Sequence, residues 1–248
     1  MSDWSRFERL TPFRVRDVLL VASHFDHYLL EESGYLAEIM RQEYSELNLS
    51  QSPRIIHSPE ARDALRLLQA RDFDVVITMA RVGEMDVNAF GIEAKKISPG
   101  LPVMMLSHNT RELAGLSAGE GIDRIFVWTG DSRILLSICK LIEDERNVEN
   151  DVRDGDVQVI LLVEDSRRFY SAYLPLLYTQ LVNQTTRLMG EGGNLHEKLL
   201  RLRARAKILL ASDMDSAKTI INRYQKNLIG VFTDGRFPNE GGNRDTAG

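Results

Sequence analysis

Glu164 and Asp165 close the apolar run VQVILLVED, and Asp234 closes a later apolar run, LIGVFTDGRFP. If those two runs are neighbouring strands, three carboxylates converge at one point. Such a set offers hard oxygen ligands to a divalent cation such as Mg²⁺. Without a cation the acids repel one another, and at least one should hold its proton unusually tightly. The plainer alternative is that Asp165 or Ser166 only caps the next helix.

The elements that must position these acids are legible as alternating patterns. In the first part of the chain DVLLVAS (17–23), PRIIHS (53–58), DVVITM (74–79), LPVMMLS (101–107) and DRIFVW (123–128) are short apolar runs, as strands covered on both faces are. Between them FDHYLLEESGYLAEIMRQEYSEL, SPEARDALRLLQARD, VNAFGIEAKKIS, TRELAGLSAGEG and SRILLSICKLIEDERN carry apolar residues at helical spacing. SPEA reads as a helix start, with Ser58 as N-cap and Pro59 at the first helical position. Alternation of this kind implies an α/β fold, a parallel sheet with helices on both faces and right-handed crossovers.

The polar run ERNVENDVRDGD (145–156) reads as a frayed helix end and a linker, after which the order restarts. VQVILLVED, a long helical stretch, KILLASD (207–213), a helix SAKTIINRYQKN and LIGVFTDGRFP follow, an internal duplication with a period of roughly 140 residues. VLLVAS matches ILLVEDS, RIIHSPEARDALRLL matches ILLASDMDSAKTII, and DVVITMARVGEMD matches GVFTDGRFPNEG. The second copy thus has Glu164 and Asp165 where the first has Ala22 and Ser23, and Asp234 where the first has Met79. Met79 reads as a buried apolar plug. The organisation expected is a first domain at 1–148, a linker at 149–156, a partial second copy at 157–240 and a flexible tail at 241–248.

These residues resemble the receiver domain of two-component response regulators. The resemblance implies a flavodoxin-like, doubly wound five-stranded sheet of order 2-1-3-4-5, with the site at the carboxyl ends of the first and third strands. It makes Asp234 of TDGRFP the phosphoacceptor, and Glu164 and Asp165, with Asp234, the holders of Mg²⁺. Ser107 stands where the family keeps a hydroxyl and Trp128 where it keeps a Lys, so the first copy resembles a pseudo-receiver. The second copy lacks the fourth and fifth strands and therefore the hydroxyl and the Lys, and a strand edge beside the acceptor is left open. Stretches such as FERLTPFRVRDVLLVAS and IDRIFVWTGDSRILL also resemble the front end of large bacterial proteins of the phosphoenolpyruvate synthase type.

Other features carry plainer readings. Asp213 and Asp215 in ILLASDMDSA resemble the D-x-D pair of haloacid-dehalogenase-type phosphatases, but in the duplicated pattern DMDS aligns with SPEA and reads as a helix cap. GEGGN (190–194) reads as a loop, and Arg201, Arg203 and Arg205 as a solvated helix end or, failing that, a docking patch for an acidic partner. His24, His27, His57, His108 and His196 show no metal-ligand spacing, although His24 and His108 fall at strand ends near the first copy's crevice. The single cysteine, Cys139, sits at helical spacing and reads as a packed core thiol.

A net charge of −5 over 248 residues gives no basic field, so nucleic-acid binding is not favoured, and no apolar run is long enough to span a membrane. The expectation is a cytoplasmic signalling module that is not an enzyme beyond accepting a phosphoryl group itself. Its partners would be a sensor kinase or a downstream enzyme domain, with a homodimer as a further possibility. The alternative is a regulatory or assembly platform of a phosphoenolpyruvate synthase-like enzyme, with no phosphorylation.

Overall fold

The structure, a computed structural model, describes residues 8–32, 53–108, 118–188, 204–234, 236–238 and 244–246. The chain divides into two compact units, a central one, Val15–Cys139, and a flanking one that combines Met1–Arg14 with Lys140–Gly248.

The central unit contains β1 (Asp17–Val21), α1 (His24–Glu32), β2 (Arg54–Ser58), α2 (Ala61–Ala70), β3 (Val75–Met79), α3 (Val87–Ile97), β4 (Val103–Ser107) and β5 (Arg124–Val127). All neighbouring strands are parallel, in the order β2-β1-β3-β4-β5. This is the doubly wound, flavodoxin-like sheet that the alternating pattern and the resemblance imply. Its interior strands β3 and β4 are apolar but for Thr78 and Ser107 because both faces are covered: they are buried at every residue. Leu19, Val76, Phe90, Val103 and Ile125 form part of one core cluster between sheet and helices.

Two local devices set this unit's helices. Asp86 caps α3, its carboxylate accepting from Asn88 N and Ala89 N. Gly91 lies inside α3 because the loop at Gly121 passes so close that a Cβ on Gly91 would lie 2.1 Å from the Gly121 carbonyl oxygen. The start expected at Ser58 is displaced: Ser58 is the last residue of β2, and Glu60 stands at the N-cap of α2 without a side-chain cap bond. Ser58 Oγ is engaged with the Glu60 carbonyl, which it bonds at 3.0 Å. The residues between 109 and 117, and those beyond Glu32 in the long first helical stretch, lie outside the described residues.

The flanking unit is built on β6 (Val159–Val163), α5 (Arg167–Leu188), β7 (Lys207–Ala211), α6 (Met214–Tyr224) and β8 (Leu228–Thr233), a parallel three-stranded sheet of order β7-β6-β8. The order repeats the β2-β1-β3 half of the central sheet. Val148, Leu161, Val163, Leu209 and Tyr224 belong to its core. After β8, β9 (Arg236–Pro238) pairs antiparallel with β10 (Arg244–Thr246), within the span expected to run into a flexible tail. Among the described residues no fourth parallel strand follows β8, and β8 itself is largely exposed.

The linker expectation is corrected. α4 runs from Arg133 to Gly155 without interruption, so residues 149–155 are helix. The division between units falls inside it, after Cys139. Glu145, Arg146 and Glu149 face solvent, but one stripe of its polar residues does not: Lys140, Asp144, Asn147 and Asp151 recur at helical spacing and are at most 7% exposed. Each has a partner in the flanking unit. Arg205 forms a two-pronged ion pair with Asp144, whose Oδ2 also accepts from Tyr178 Oη and Ile208 N. Lys207 Nζ lies 2.8 Å from Asp151 Oδ2, and Lys140 Nζ 2.7 Å from Glu143. Asn147 bonds the Phe13 backbone in both directions, and Thr11 N donates to Asp151 Oδ1. The segment 8–14 is thereby bound to the flanking unit rather than to the domain its sequence adjoins.

That segment depends on one unusual backbone and one close approach. Thr11 has φ of 52°, a left-handed conformation that a β-branched residue rarely adopts, and its N–H and hydroxyl both donate to Asp151 there. Gly155 lacks a side chain where one would meet Leu10: a Cβ would lie 2.7 Å from a Leu10 methyl carbon.

Candidate metal centre

Strand register places the acids. In the flanking unit Val163 is level with Thr233, so the next residues outward are Glu164 on one strand and Asp234 on its neighbour. The pairing continues past the strand ends, since Asp234 N donates to the Val163 carbonyl and Glu164 N to the Ala211 carbonyl. The expected convergence is present: Glu164, Asp165 and Asp234 each offer a carboxylate oxygen, and those atoms all lie within 4.8 Å of one another. Glu164 is buried, Asp165 half-buried and Asp234 exposed.

Burial raises the Glu164 carboxyl above its ordinary value, and the charges of Asp234 and Asp165 push the same way. The Ser166 N–H, bonded to Glu164 Oε1 at 3.0 Å, opposes them. Ser166 precedes α5, and its backbone carbonyl accepts from Phe169 N and Tyr170 N, the opening bonds of that helix. Beside the acids is a cleft of about 610 Å³ lined by Leu162, Phe169, Tyr173, Leu176, Phe232 and Thr233, among others. An all-carboxylate donor set suits a hard cation such as Mg²⁺ or Ca²⁺ and not a thiophilic one.

The central unit presents the same positions with other chemistry. Val21 is level with Thr78, which makes Met79 the counterpart of Asp234 and Ala22 and Ser23 the counterparts of Glu164 and Asp165. Met79 is 2% exposed, the apolar plug expected of it. Ser107 ends β4, fully buried, and Trp128 follows β5 with its backbone N–H on the Ser107 carbonyl. The register shifts one alignment: Val21 is level with Ser58 and Val163 with Ala211, so Asp213 corresponds to Glu60 rather than to Ser58. Asp213 caps α6 by accepting from Ser216 N, the role expected of DMDS, and that bond holds its carboxyl below the usual value. Asp213 is thus engaged as a cap, not poised as a nucleophile.

Arg205 belongs neither to a solvated helix end nor to an open patch, because its side chain is 10% exposed against Asp144. Cys139 is a packed core thiol at 1% exposure. Arg201, Arg203, His196 and GEGGN lie outside the described residues.

Sequence reasoning missed the gathering of histidines in the central unit. His27 and His57 stack with ring centroids 3.9 Å apart, and His24 stands edge-on to His57 at 5.6 Å. His108 Nε2 lies 2.7 Å from Asp26 Oδ1, and Ser23 Oγ donates to the other oxygen of Asp26. The signal was available in H-x-x-H-x-x-x-E at 24–31, which puts His24, His27 and Glu31 on one helical face.

No protein-family model matches this chain, and no curated protein does. Among solved structures it is similar to a signal receiver domain of an HD domain-containing protein from Pseudomonas fluorescens, at 22% identity and a TM-score of 0.38 over 56% of this chain and 94% of that one. It is similar also to a response regulator receiver domain protein from Clostridium thermocellum, at 17% identity and a TM-score of 0.39 over 54% and 99%. A third, a response regulator protein from Burkholderia pseudomallei with a phosphorylated aspartic acid and a calcium ion, matches at 11% identity and 0.35 over 76% and 95%. The class of protein is defined by the strand order and crossovers of the central unit: a doubly wound, flavodoxin-like α/β fold, followed by a partial second sheet.

Proposed function

We propose that the chain is a receiver-type signalling module in which the central unit is a non-phosphorylatable interaction domain and the flanking unit a Mg²⁺-dependent aspartyl phosphoacceptor. The observation that carries this reading is the convergence of Glu164, Asp165 and Asp234 within 4.8 Å at the carboxyl ends of adjacent parallel strands. Mg²⁺ held by these carboxylates would neutralise the charge that an incoming phosphoryl group brings. Asp234 is the exposed member and the one free to meet a substrate from solvent. Its carboxylate oxygen would form the new bond to phosphorus as the bond from phosphorus to the leaving oxygen breaks; with acetyl phosphate, acetate departs with the electron pair. Glu164, buried on the neighbouring strand, positions charge and is shielded from acting as a second acceptor.

The central unit supports no such chemistry, because Met79, Ala22 and Ser23 occupy the three acidic positions. Its role here is to present surfaces to a kinase or an effector domain. The second reading, an assembly platform without phosphorylation, is favoured by the exposed apolar residues Phe169, Tyr173, Leu176 and Phe232 around the cleft, which suit a protein contact.

Calorimetric titration of Mg²⁺ into the chain and into Asp234→Asn, followed by treatment with acetyl phosphate, tests the proposal. Saturable binding weakened about tenfold or more by the substitution, together with a hydroxylamine-sensitive adduct at Asp234, is expected. Equal heats for both proteins and no adduct would leave the platform reading.

A further inference from the structure

Three of the chain's histidines and one glutamate meet on the surface of the central unit, at the side where β1 and β2 end. His24, His27 and Glu31 lie at i, i+3 and i+7 on α1, a spacing that puts them on one face of the helix. That face is turned to His57, the next-to-last residue of β2: the His57 ring is 5.6 Å from that of His24 and 3.9 Å from that of His27. All four side chains reach solvent to some degree, with Glu31 61% and His27 24% exposed.

Two details of the geometry bear on what the cluster can hold. His57 Nε2 is 2.7 Å from the Ala22 carbonyl oxygen. A carbonyl only accepts, so Nε2 carries the proton and Nδ1 is left with its lone pair. A histidine whose far nitrogen is bonded to a backbone carbonyl is the arrangement that orients metal-binding imidazoles. In addition, His27 Nε2 and Glu31 Oε1 are 3.6 Å apart. Two ligands of one tetrahedral zinc, at ordinary zinc–nitrogen and zinc–oxygen bond lengths, stand about 3.4 Å apart. A cation can sit between these two atoms without backbone movement.

We propose that His24, His27, Glu31 and His57 form a surface site for a borderline divalent transition metal, Zn²⁺ being the clearest case. The donor set is three imidazoles and one carboxylate, which selects such metals over Mg²⁺. Among the described residues only the acidic trio brings three donor atoms within 4.8 Å of one another, so the histidine site forms on binding: the His27 and His57 rings, stacked at 3.9 Å and 13°, part by side-chain rotation, which the partial exposure of His27 permits. The site lies wholly in the unit that lacks the acidic cluster, so it stands or falls independently of phosphorylation at Asp234.

Co²⁺, which reports coordination number through its visible spectrum, and Zn²⁺, followed by calorimetry, are titrated into the full chain in the presence of excess Mg²⁺. The expected result is saturation near about one equivalent with the intense bands of four-coordinate Co²⁺, and displacement of Co²⁺ by Zn²⁺. His27→Gln and His57→Gln should each weaken binding by at least about tenfold. Glu31→Gln and His24→Gln alter exposed side chains that the fold does not need, and each should weaken binding as well. His108→Gln should leave it unchanged. The proposal is overturned by no saturable spectrum, by a weak six-coordinate spectrum that Mg²⁺ suppresses, or by binding that survives the His24, His27 and His57 substitutions.

Discussion

A single residue, Glu164, concentrates the tension in the acidic site. Burial, Asp234 and Asp165 raise its carboxyl above the ordinary value, so the folded chain holds this proton more tightly than the unfolded chain. The stabilising contribution of that proton is therefore complete below the ordinary carboxyl range and is lost as pH rises through the raised folded value. Ionising Glu164 in the folded chain without a divalent cation therefore costs stability. Glu164→Gln should raise the melting midpoint of the flanking unit by about 2–5 °C in chelator at pH 7, and the gain should vanish near pH 4. Added Mg²⁺ should stabilise the unmodified chain and not the variant. A midpoint lowered by the substitution in chelator would show that the charge is already compensated. The types and positions of all three acids were legible from the sequence, because a strand's end is marked by where its apolar run stops. The unequal burial of Glu164 and Asp234 was not, since it depends on how far each side chain is covered by α5 and the β8 edge.

Among the elements, α4 departs furthest from its sequence signature. ERNVENDVRDGD has the composition of a solvated linker, yet its Asn147 and Asp151, with Asp144 just before it, are fully buried on one helical stripe. Hydropathy cannot see this, because the partners that make burial tolerable lie some 60 residues downstream in Arg205 and Lys207 and far upstream in Thr11 and Phe13. Burial tends to lower the Arg205 pKa, but the charge of Asp144 and its hydrogen bonds outweigh that effect and raise it. Burial also raises Tyr178, with Asp144 adding to the shift. Asp144→Asn leaves the Arg205 charge buried without its counter-ion and should destabilise the flanking unit by about 3–5 kcal/mol. Urea unfolding followed by far-ultraviolet circular dichroism measures this, and a loss below about 1 kcal/mol would mean that the network contributes little. In contrast, α3 and α6 were readable in type and place, since Asp86 and Asp213 cap them locally.

For the molecule as a whole, the chain order and the structural division do not coincide. Residues before Val15 belong with those after Cys139, so the flanking unit is assembled from both ends of the chain. Deleting residues 1–14 would remove the Thr11 bonds to Asp151 and the Phe13 bonds to Asn147, leaving Asp151 to Lys207 and the Asn147 side-chain carbonyl oxygen without its Phe13 donor, and should cost the flanking unit at least about 2 kcal/mol. Hydrogen exchange should then show loss of protection in β6 and β7 with protection kept in β1 and β3. An equal loss in all four strands would refute that assignment. By itself the sequence determined the α/β alternation, the repeated three-strand pattern and the identity of the acids and their apolar counterparts. These follow from local composition, where an apolar run and its last residue lie side by side in the chain. Tertiary structure alone decided which polar residues are buried, where the units divide, and that His24, His27 and His57 gather on one surface. Each of those depends on partners distant in sequence, and burial of a charge or the convergence of side chains is a property of the pair rather than of either residue.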